Sequence, residues 1–519
     1  MRRMHNWSLP HWDKQLTPFL GLVLVLLATF AFRFPSLWEP PWYDDEGIYA
    51  AVAHAVLRGS TLYRDVLDNR PPGIYWLYAA MLEVSNYSIV FIRLMATLSF
   101  LLTQVIVFLI ARRLWNVKTG LVAIGILGVI GSVPFMEGNI ANAEIYMMLP
   151  TSFGIYLALR GRFFVAGIAF ALALLIKQIA GMEAIACVLA LLLFQPRPLR
   201  QVAVFLLGYA TPIAATVTYL VIQGSFGDFL FAGIGYYFGY VQRAARIPIE
   251  LWPIKFLLLF AVLLAIWWHY RSRRTTMHFH FALVYFWVAF AVFGALFTAR
   301  PYPHYLLQPL PPLALLVAVI FVANWSRPLP QVTVGKFASV TALSMAWFWL
   351  FLAIYMPWPN WAKPEKTVEY YQNFVQYVSG QKTLSAYNDF FDKRVNRNMS
   401  LVRYLQRHAK QGEYLMIWGE EPWLYALSRL QVAAPFTVSY YAYEMPSGLD
   451  RMVAAVQQHK PKYIVWTTNR PLYPKLKAEL DKDYSDVSLM ENLIVFQRTT
   501  TLASVANPVP LQELGNSGP

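Results

Sequence analysis

The sequence predicts a polytopic α-helical membrane protein followed by a soluble α/β domain. Three observations carry this. Of 519 residues, 57% are hydrophobic and only 14% charged, with a mean hydropathy of +0.42, an apolar excess over ordinary soluble domains. Runs of roughly 20 apolar residues, the length that crosses a ~30 Å hydrocarbon core, recur from Pro18 to Tyr355 between short basic turns. After Pro357 they give way to short alternating strand-like and helix-like patterns.

The first crossing runs from about Pro18 to Phe32. Arg2 and Arg3 precede it and no small-residue cleavage site follows, so it reads as an anchored helix and not as a cleaved signal. The second runs from about Ile89 to Ala111 and stops at Arg112-Arg113. Lys118 opens the third, which ends near Phe135. A loop from Glu137 to Ala143 leads into the fourth, closed by Arg160-Gly161-Arg162. Two shorter apolar runs flank Lys177-Gln178, ahead of Arg197 and Arg200. Another crossing ends near Gln223, before an aromatic loop with Tyr236, Tyr237 and Tyr240. The eighth, from about Leu251 to Tyr270, reaches Arg271-Ser272-Arg273-Arg274, and the ninth ends at Arg300. The tenth spans about Tyr305 to Val322 and the last about Phe337 to Tyr355, which makes about eleven.

Charge sets the expected orientation. After Pro357 there are 18 Lys and Arg against 15 Asp and Glu, which leaves 25 and 13 for the apolar part. Those 25 lie in short loops between apolar runs, and their clusters at 112–118, 160–162, 197–200 and 271–274 all fall on one side of the predicted membrane, as cytoplasmic loops do, and not in a patch interleaved with stacking aromatics. The net charge of +15 therefore points to membrane topology, and no nucleic-acid partner is expected. The protein should be a multi-pass protein of the cell membrane, with its amino terminus cytoplasmic and its carboxyl terminus outside. Of the 13 carboxylates only Asp13 is clearly cytoplasmic, while Glu39, Asp44, Asp45, Glu46, Asp68, Glu137 and Glu144 are among those on the outer side. The chemistry belongs there. Cys187, the single cysteine, lies in an apolar run, so one chain can build neither a disulfide nor a cysteine metal site.

Beyond Pro357 the pattern reads as a helix around Ser400 to Ala409, a buried strand Tyr414 to Trp418, a helix Leu449 to His459, and strands Tyr463 to Trp466 and Leu493 to Phe496. Gly419-Glu420-Glu421 after the first strand is either a ligand-binding turn or an ordinary one. The expected organisation is a transmembrane domain over 1–356, an extracytoplasmic α/β domain over 357–503 and a flexible tail over 504–519.

Four features converge on the outer face. Asp44-Asp45-Glu46 places three carboxylates at a membrane border, where ionised groups need water, cations or substrate; a solvated loop would also satisfy them. Glu144 opens a membrane helix after Asn139-Ile140-Ala141-Asn142-Ala143, as a site acid or as a charge favouring the helix dipole. Cations lie close by in sequence or on the same face: Arg70, Lys177, Arg243, Arg246 and Arg300, with Lys177 interrupting an apolar run with no acidic sequence neighbour. Arg300-Pro301-Tyr302-Pro303-His304-Tyr305 is a stiff turn carrying an Arg, a His and two phenols, and His304 is an acid/base candidate or a structural interfacial residue. Together they suit group transfer from a phosphate-linked lipid: a carboxylate deprotonates the attacking hydroxyl and cations stabilise the departing phosphate.

Asp45-Glu46-Gly47-Ile48-Tyr49-Ala50 resembles the Asp-Glu motif in the first outer loop of the protein O-mannosyltransferase family and its relative lipid A aminoarabinose transferase. Asn69-Arg70-Pro71-Pro72 resembles that family's acidic-Lys-Pro element, the Gly167–Lys177 segment resembles another of its stretches, and the 300–305 turn is similar to a motif of uncharacterised bacterial members. The resemblance covers roughly residues 18 to 325. It implies a GT-C membrane fold, a polyprenyl-phosphate sugar donor and inversion at the anomeric carbon. It implies Asp45, Glu46, Asp44 and Glu144 as catalytic candidates, with Asp45 at the base position. Tyr49, Asn69, Arg70, Lys177, Arg300, His304 and Tyr305 are the implied substrate-binding set. Arg70 stands where Lys is usual, Asn69 where some members have an acid, and Asp44 is an added carboxylate that could itself be the base.

The acceptor, whether protein, lipid or glycan, is open, as is a divalent cation held by oxygen ligands. Competing readings are a transporter or flippase of lipid-linked sugars, and a non-catalytic scaffold for envelope assembly. A transporter would set isolated charges at mid-membrane, whereas here they sit at the ends of runs, with Lys177 and Glu183 the exceptions.

Overall fold

The structure is a computed structural model that describes residues 13–236, 239, 252–270, 276–297, 302–325, 364–467, 471–490 and 492–499. Arg243, Arg246, Arg300, the basic turn 271–274, the expected last crossing and the 504–519 tail lie outside the described residues.

The chain is mostly helical. Among the described residues three helical stretches are long and apolar enough to cross a membrane: Pro18–Trp38, Ile89–Leu114 and Pro198–Ile222. The remaining apolar stretches found among the described residues run to 10–17 residues. Helix α1 (Asp13–Arg33) leads through a 3₁₀ turn to α2 (Asp44–Leu57) and α3 (Pro72–Val84). These last two are elements the hydropathy reading does not separate from a loop. α2 is buried on nearly all sides, so it lacks an amphipathic stripe, and α3 has only 13 residues. Pro72 starts α3 at a position where its missing N–H costs nothing.

Next come α4 (Ile89–Leu114), α5 (Val117–Ile130), α6 (Ala143–Leu159), α7 (Phe163–Ile176), α8 (Gly181–Phe194) and α9 (Pro198–Ile222). Their connections are short, so successive helices reverse direction. The basic residues Arg112, Arg113, Arg160, Arg162, Arg197 and Arg200 collect at one set of ends, and Lys177 and Glu144 at the other. α7 and α9 pack closely because Gly167 and Gly208 lack a Cβ. An added carbon would collide with the carbonyls of Phe205 and Phe164 respectively. A short α10 (Phe226–Phe229) and a π-helical turn (Leu230–Tyr236) follow, then α11 (Trp252–Tyr270), α12 (Thr276–Ala295), a 3₁₀ turn (Pro303–Leu307) and α13 (Leu310–Trp325).

The C-terminal part begins with α14 (Pro364–Val378), α15 (Leu384–Asp389) and α16 (Arg394–His408). It is built on a five-stranded sheet of order β2-β1-β3-β5-β4. Here β1 is Tyr414–Trp418, β2 Gln431–Val432, β3 Tyr463–Thr467, β4 Tyr484–Met490 and β5 Leu493–Arg498. β1 runs parallel to β2 and β3, with Leu415 opposite Tyr463, while β5 pairs antiparallel with β3 and β4. The short α17 (Trp423–Ser428), α18 (Ser439–Glu444), α19 (Gly448–His459) and α20 (Pro474–Asp483) complete it. The Gly419–Glu421 turn is spent inside this unit. Glu421 accepts from Arg397 at 2.7 Å and Asn398 at 2.5 Å, and Glu420 from Ser439 at 2.9 Å.

This part is fastened onto α2 and its neighbours. Trp423 Nε1 donates to the Tyr43 carbonyl at 3.0 Å, Gly47 lies beneath Trp423 and Pro422, and Leu67 N–H donates to the Pro435 carbonyl at 2.7 Å. His54 Nε2 meets the Leu430 carbonyl at 2.8 Å.

Candidate active site

The α6–α7 hairpin explains how two residues 33 apart meet. Glu144 lies in the first turn of α6 and Lys177 just past the end of α7, 17 and 16 residues from the turn at Gly161. With equal rise on both arms they reach the same level, and the Lys177 ammonium contacts Glu144 Oε1. Both side chains are buried. Lys177 Nζ also sits 4.5 Å above the Tyr305 ring, and Glu144 Oε2 has no hydrogen-bond partner among the described residues.

Arg70 comes to the same place because α3 starts against the end of α7. A Cβ on Gly73 would fall 2.5 Å from the Leu175 carbonyl oxygen, a closeness only glycine permits. Gln178 Nε2 then donates to the Asn69 carbonyl at 2.5 Å and ties the two cation-bearing segments together. The Arg70 guanidinium donates to Asp45 Oδ2 at 3.0 Å, Tyr49 Oη at 3.1 Å and Asn69 Oδ1 at 2.7 Å. Burial would raise the Asp45 pKa, but Arg70 first, then His304 and Lys177, more than offset it and hold it below the usual carboxylate range. Asp45 is thus a carboxylate at neutral pH, with 25% of its side chain still exposed.

His304 lies in the 3₁₀ turn before α13, between two acids. Its Nδ1 contacts Glu137, and its Nε2 is 3.6 Å from Glu144 Oε1. Tyr43 donates to Glu137 at 2.9 Å and lies 3.2 Å from His304 Nδ1.

The structure therefore brings together Asp45, Tyr49, Asn69, Arg70, Glu144, Lys177, His304 and Tyr305. Two of the predicted acids face elsewhere. Glu46 is fully buried in an ion pair with Arg93 at 2.9 Å and accepts the Ala141 N–H at 2.7 Å. Asp44 is half-exposed and lies 3.6 Å from Arg394 of the C-terminal part. Glu183, left without a place by the sequence, is buried and accepts from Gln308 at 3.0 Å.

Sequence reasoning gave Glu137, Tyr43 and Gln178 no role. Glu137 had one available signal, its place in a short polar loop before a membrane helix; the loop puts it at φ 52°, a conformation unusual outside glycine. Among the described residues no group of three His, Cys, Asp or Glu side chains is arranged to hold a metal ion.

The sequence model of the family described as dolichyl-phosphate-mannose-protein mannosyltransferase matches residues 69–222. Among curated proteins, none matches the chain by sequence. The fold is similar to that of ArnT from Cupriavidus metallidurans bound to undecaprenyl phosphate, with a TM-score of 0.57, 16% identity, and 93% of this chain and 99% of that chain covered. For the apo state of the same protein the TM-score is 0.53, at 16% identity, with 91% and 97% covered. Residues 69–222 thus match the protein mannosyltransferase family model, and the chain as a whole shares the fold of ArnT.

Proposed function

We propose that the chain is a membrane glycosyltransferase that moves a sugar from a polyprenyl-phosphate donor to an acceptor hydroxyl, with inversion, on the extracytoplasmic face. The observation that carries this is the pairing of each candidate phosphate cation with an acid: Arg70 with Asp45, and Lys177 with Glu144. Without donor, the carboxylates neutralise the cations. A donor phosphodiester takes both cations, the guanidinium by a two-pronged hydrogen bond and the ammonium as a point charge. Asp45, released from Arg70, regains basicity and takes the proton of the acceptor hydroxyl. The acceptor oxygen bonds to the anomeric carbon as the carbon–oxygen bond to phosphate breaks on the opposite face, and the polyprenyl phosphate leaves with its new charge held by Arg70 and Lys177. His304, braced by Glu137, keeps Glu144 in place beside Lys177.

The lipid-phosphate donor is extended to this chain from ArnT, whose fold it shares and which binds undecaprenyl phosphate. Membrane lipids surround the apolar helices. The decisive experiment compares lipid-linked sugars before and after deletion of the gene. One polyprenyl-phosphate sugar should accumulate, and purified protein supplied with a cell-envelope extract as acceptor should convert it to free polyprenyl phosphate and glycosylated acceptor. An unchanged lipid-linked pool and no discharge would overturn the reading.

A further inference from the structure

A second concave site lies beside residues 58–65, the stretch that leads into the loop carrying Arg70. It is an open cleft of about 520 Å³ between residues 58–65 and the β2 edge of the sheet with α19. That volume is within the ~300–1,000 Å³ range of small-molecule sites. Its lining is polar, which excludes a lipid chain. Arg58, Arg64, Arg451, Gln458 and His459 face it, against one carboxylate, Asp65.

The charges do not cancel. Asp65 is already committed to Arg64 at 3.0 Å and to the Thr61 N–H at 2.8 Å. Neither Arg58 nor Arg451 stands in an ion pair with a carboxylate among the described residues. Arg451 is only part-exposed and lies over the Phe436 ring, 5.2 Å from its centroid, so its guanidinium is held in one place instead of sweeping through solvent. Asp228 acts on Arg451 from beyond ion-pair distance and Arg58 is exposed, so the lining keeps a net positive charge that an oxyanion would satisfy.

We propose that this cleft binds an anionic, saccharide-sized ligand whose phosphate or carboxylate group is recognised by Arg58 and Arg451. The wall it would touch is coupled to the active-site candidate. Pro435 lines the cleft and accepts from Leu67 N–H, next to Asp68-Asn69-Arg70, and Tyr63 donates to the Arg70 carbonyl at 2.7 Å. An occupant is therefore placed to serve as the distal part of an acceptor or as an effector of the donor loop.

The test is titration calorimetry on the full chain in detergent, with inorganic pyrophosphate and a trigalacturonate as separate probes. Binding of either supports the proposal, and the tighter one identifies phosphate or carboxylate as the recognised group. Arg58→Gln and Arg451→Gln should each weaken binding by about tenfold, the equivalent of one charge-assisted hydrogen bond, and binding should fall as salt rises. Arg70→Ala should leave it unchanged. Arg58 is exposed, so its variant tests the site even if Arg451→Gln disturbs packing on Phe436. Binding that is lost in Arg70→Ala but kept in both cleft variants would assign the anion to the donor site and overturn the proposal, as would failure of both probes to bind the wild type.

Discussion

Two ion pairs begin on adjacent residues of α2 and end in opposite roles. Asp45 and Glu46 project about 100° apart around the helix. Glu46 meets Arg93 with both side chains about 1% exposed, and Arg93 goes on to the carbonyls of Ser36, Glu39 and Pro40. Asp45 meets Arg70 with 25% and 14% of the side chains exposed, and the further partners of that guanidinium are the side chains of Tyr49 and Asn69. A pair closed on backbone groups can open only by unfolding what it pins, here the 36–40 segment, α4 and the loop before α6. A pair closed on other side chains can exchange a partner for a ligand. The difference lies in what surrounds the charges, since the charges themselves are alike.

The comparison breaks most severely at Arg93. Arg93→Ala leaves Glu46 charged and buried without its partner, a change that costs about 3–5 kcal/mol in buried pairs. The expected result is low yield or a large drop in melting temperature of the purified protein. A variant as stable as the wild type would make the Glu46–Arg93 clamp dispensable and erase the contrast.

Asp45→Asn is next, and here stability should hold while chemistry fails. Loss of a general base typically lowers turnover by about 10²–10⁴. Turnover at saturating donor, measured with correctly folded protein, should fall in that range with little change in melting temperature. Wild-type turnover would remove Asp45 from the chemistry.

Much of this site was legible because isolated charges in apolar sequence are costly and stand out. Lys177 stands out that way, while Asp45, Arg70 and Glu144 stand out as charges gathered where apolar runs end on the outer side. Their pairing was not legible, because Arg70 reaches Asp45 only through the contact of α3 with α7, and His304 reaches Glu137 across 167 residues. Arg93 escaped notice because a buried arginine within a membrane-length run looks like part of a crossing. In the C-terminal part the regular strands β1, β3 and β5 were readable from their buried apolar runs. β2 has two residues and β4 begins with the polar Tyr484-Ser485-Asp486, so neither carried the alternation that marks a strand.

Arg70 sharpens the contrast from the ligand side. Arg70→Ala should raise the donor KM strongly, and Arg70→Lys should retain more activity by keeping the charge while losing the fork. A pH profile adds a second readout. With Arg70 gone, burial acts on Asp45 with less opposition, so its pKa rises. The acidic limb of kcat/KM, which reports the free enzyme, then moves to higher pH. An unmoved limb would mean that Asp45 does not set it.

The smallest effect is expected at Asp44. It begins the same helix turn as Asp45, and sequence alone left it a possible base. Its side chain is 54% exposed and 3.6 Å from Arg394, which is 35% exposed and already paired with Asp392 at 2.7 Å. An exposed pair of this kind is worth about 0–1 kcal/mol, so Asp44→Asn should change stability little. Facing the C-terminal part and not Arg70, Asp44 has no route to a hydroxyl attacking a donor held by Arg70 and Lys177. Asp44→Asn should therefore keep turnover within about threefold of wild type, against the loss expected at Asp45. If Asp44→Asn abolishes turnover while Asp45→Asn does not, the base is the outward acid, and the Asp45–Arg70 pair becomes a second structural clamp like Glu46–Arg93.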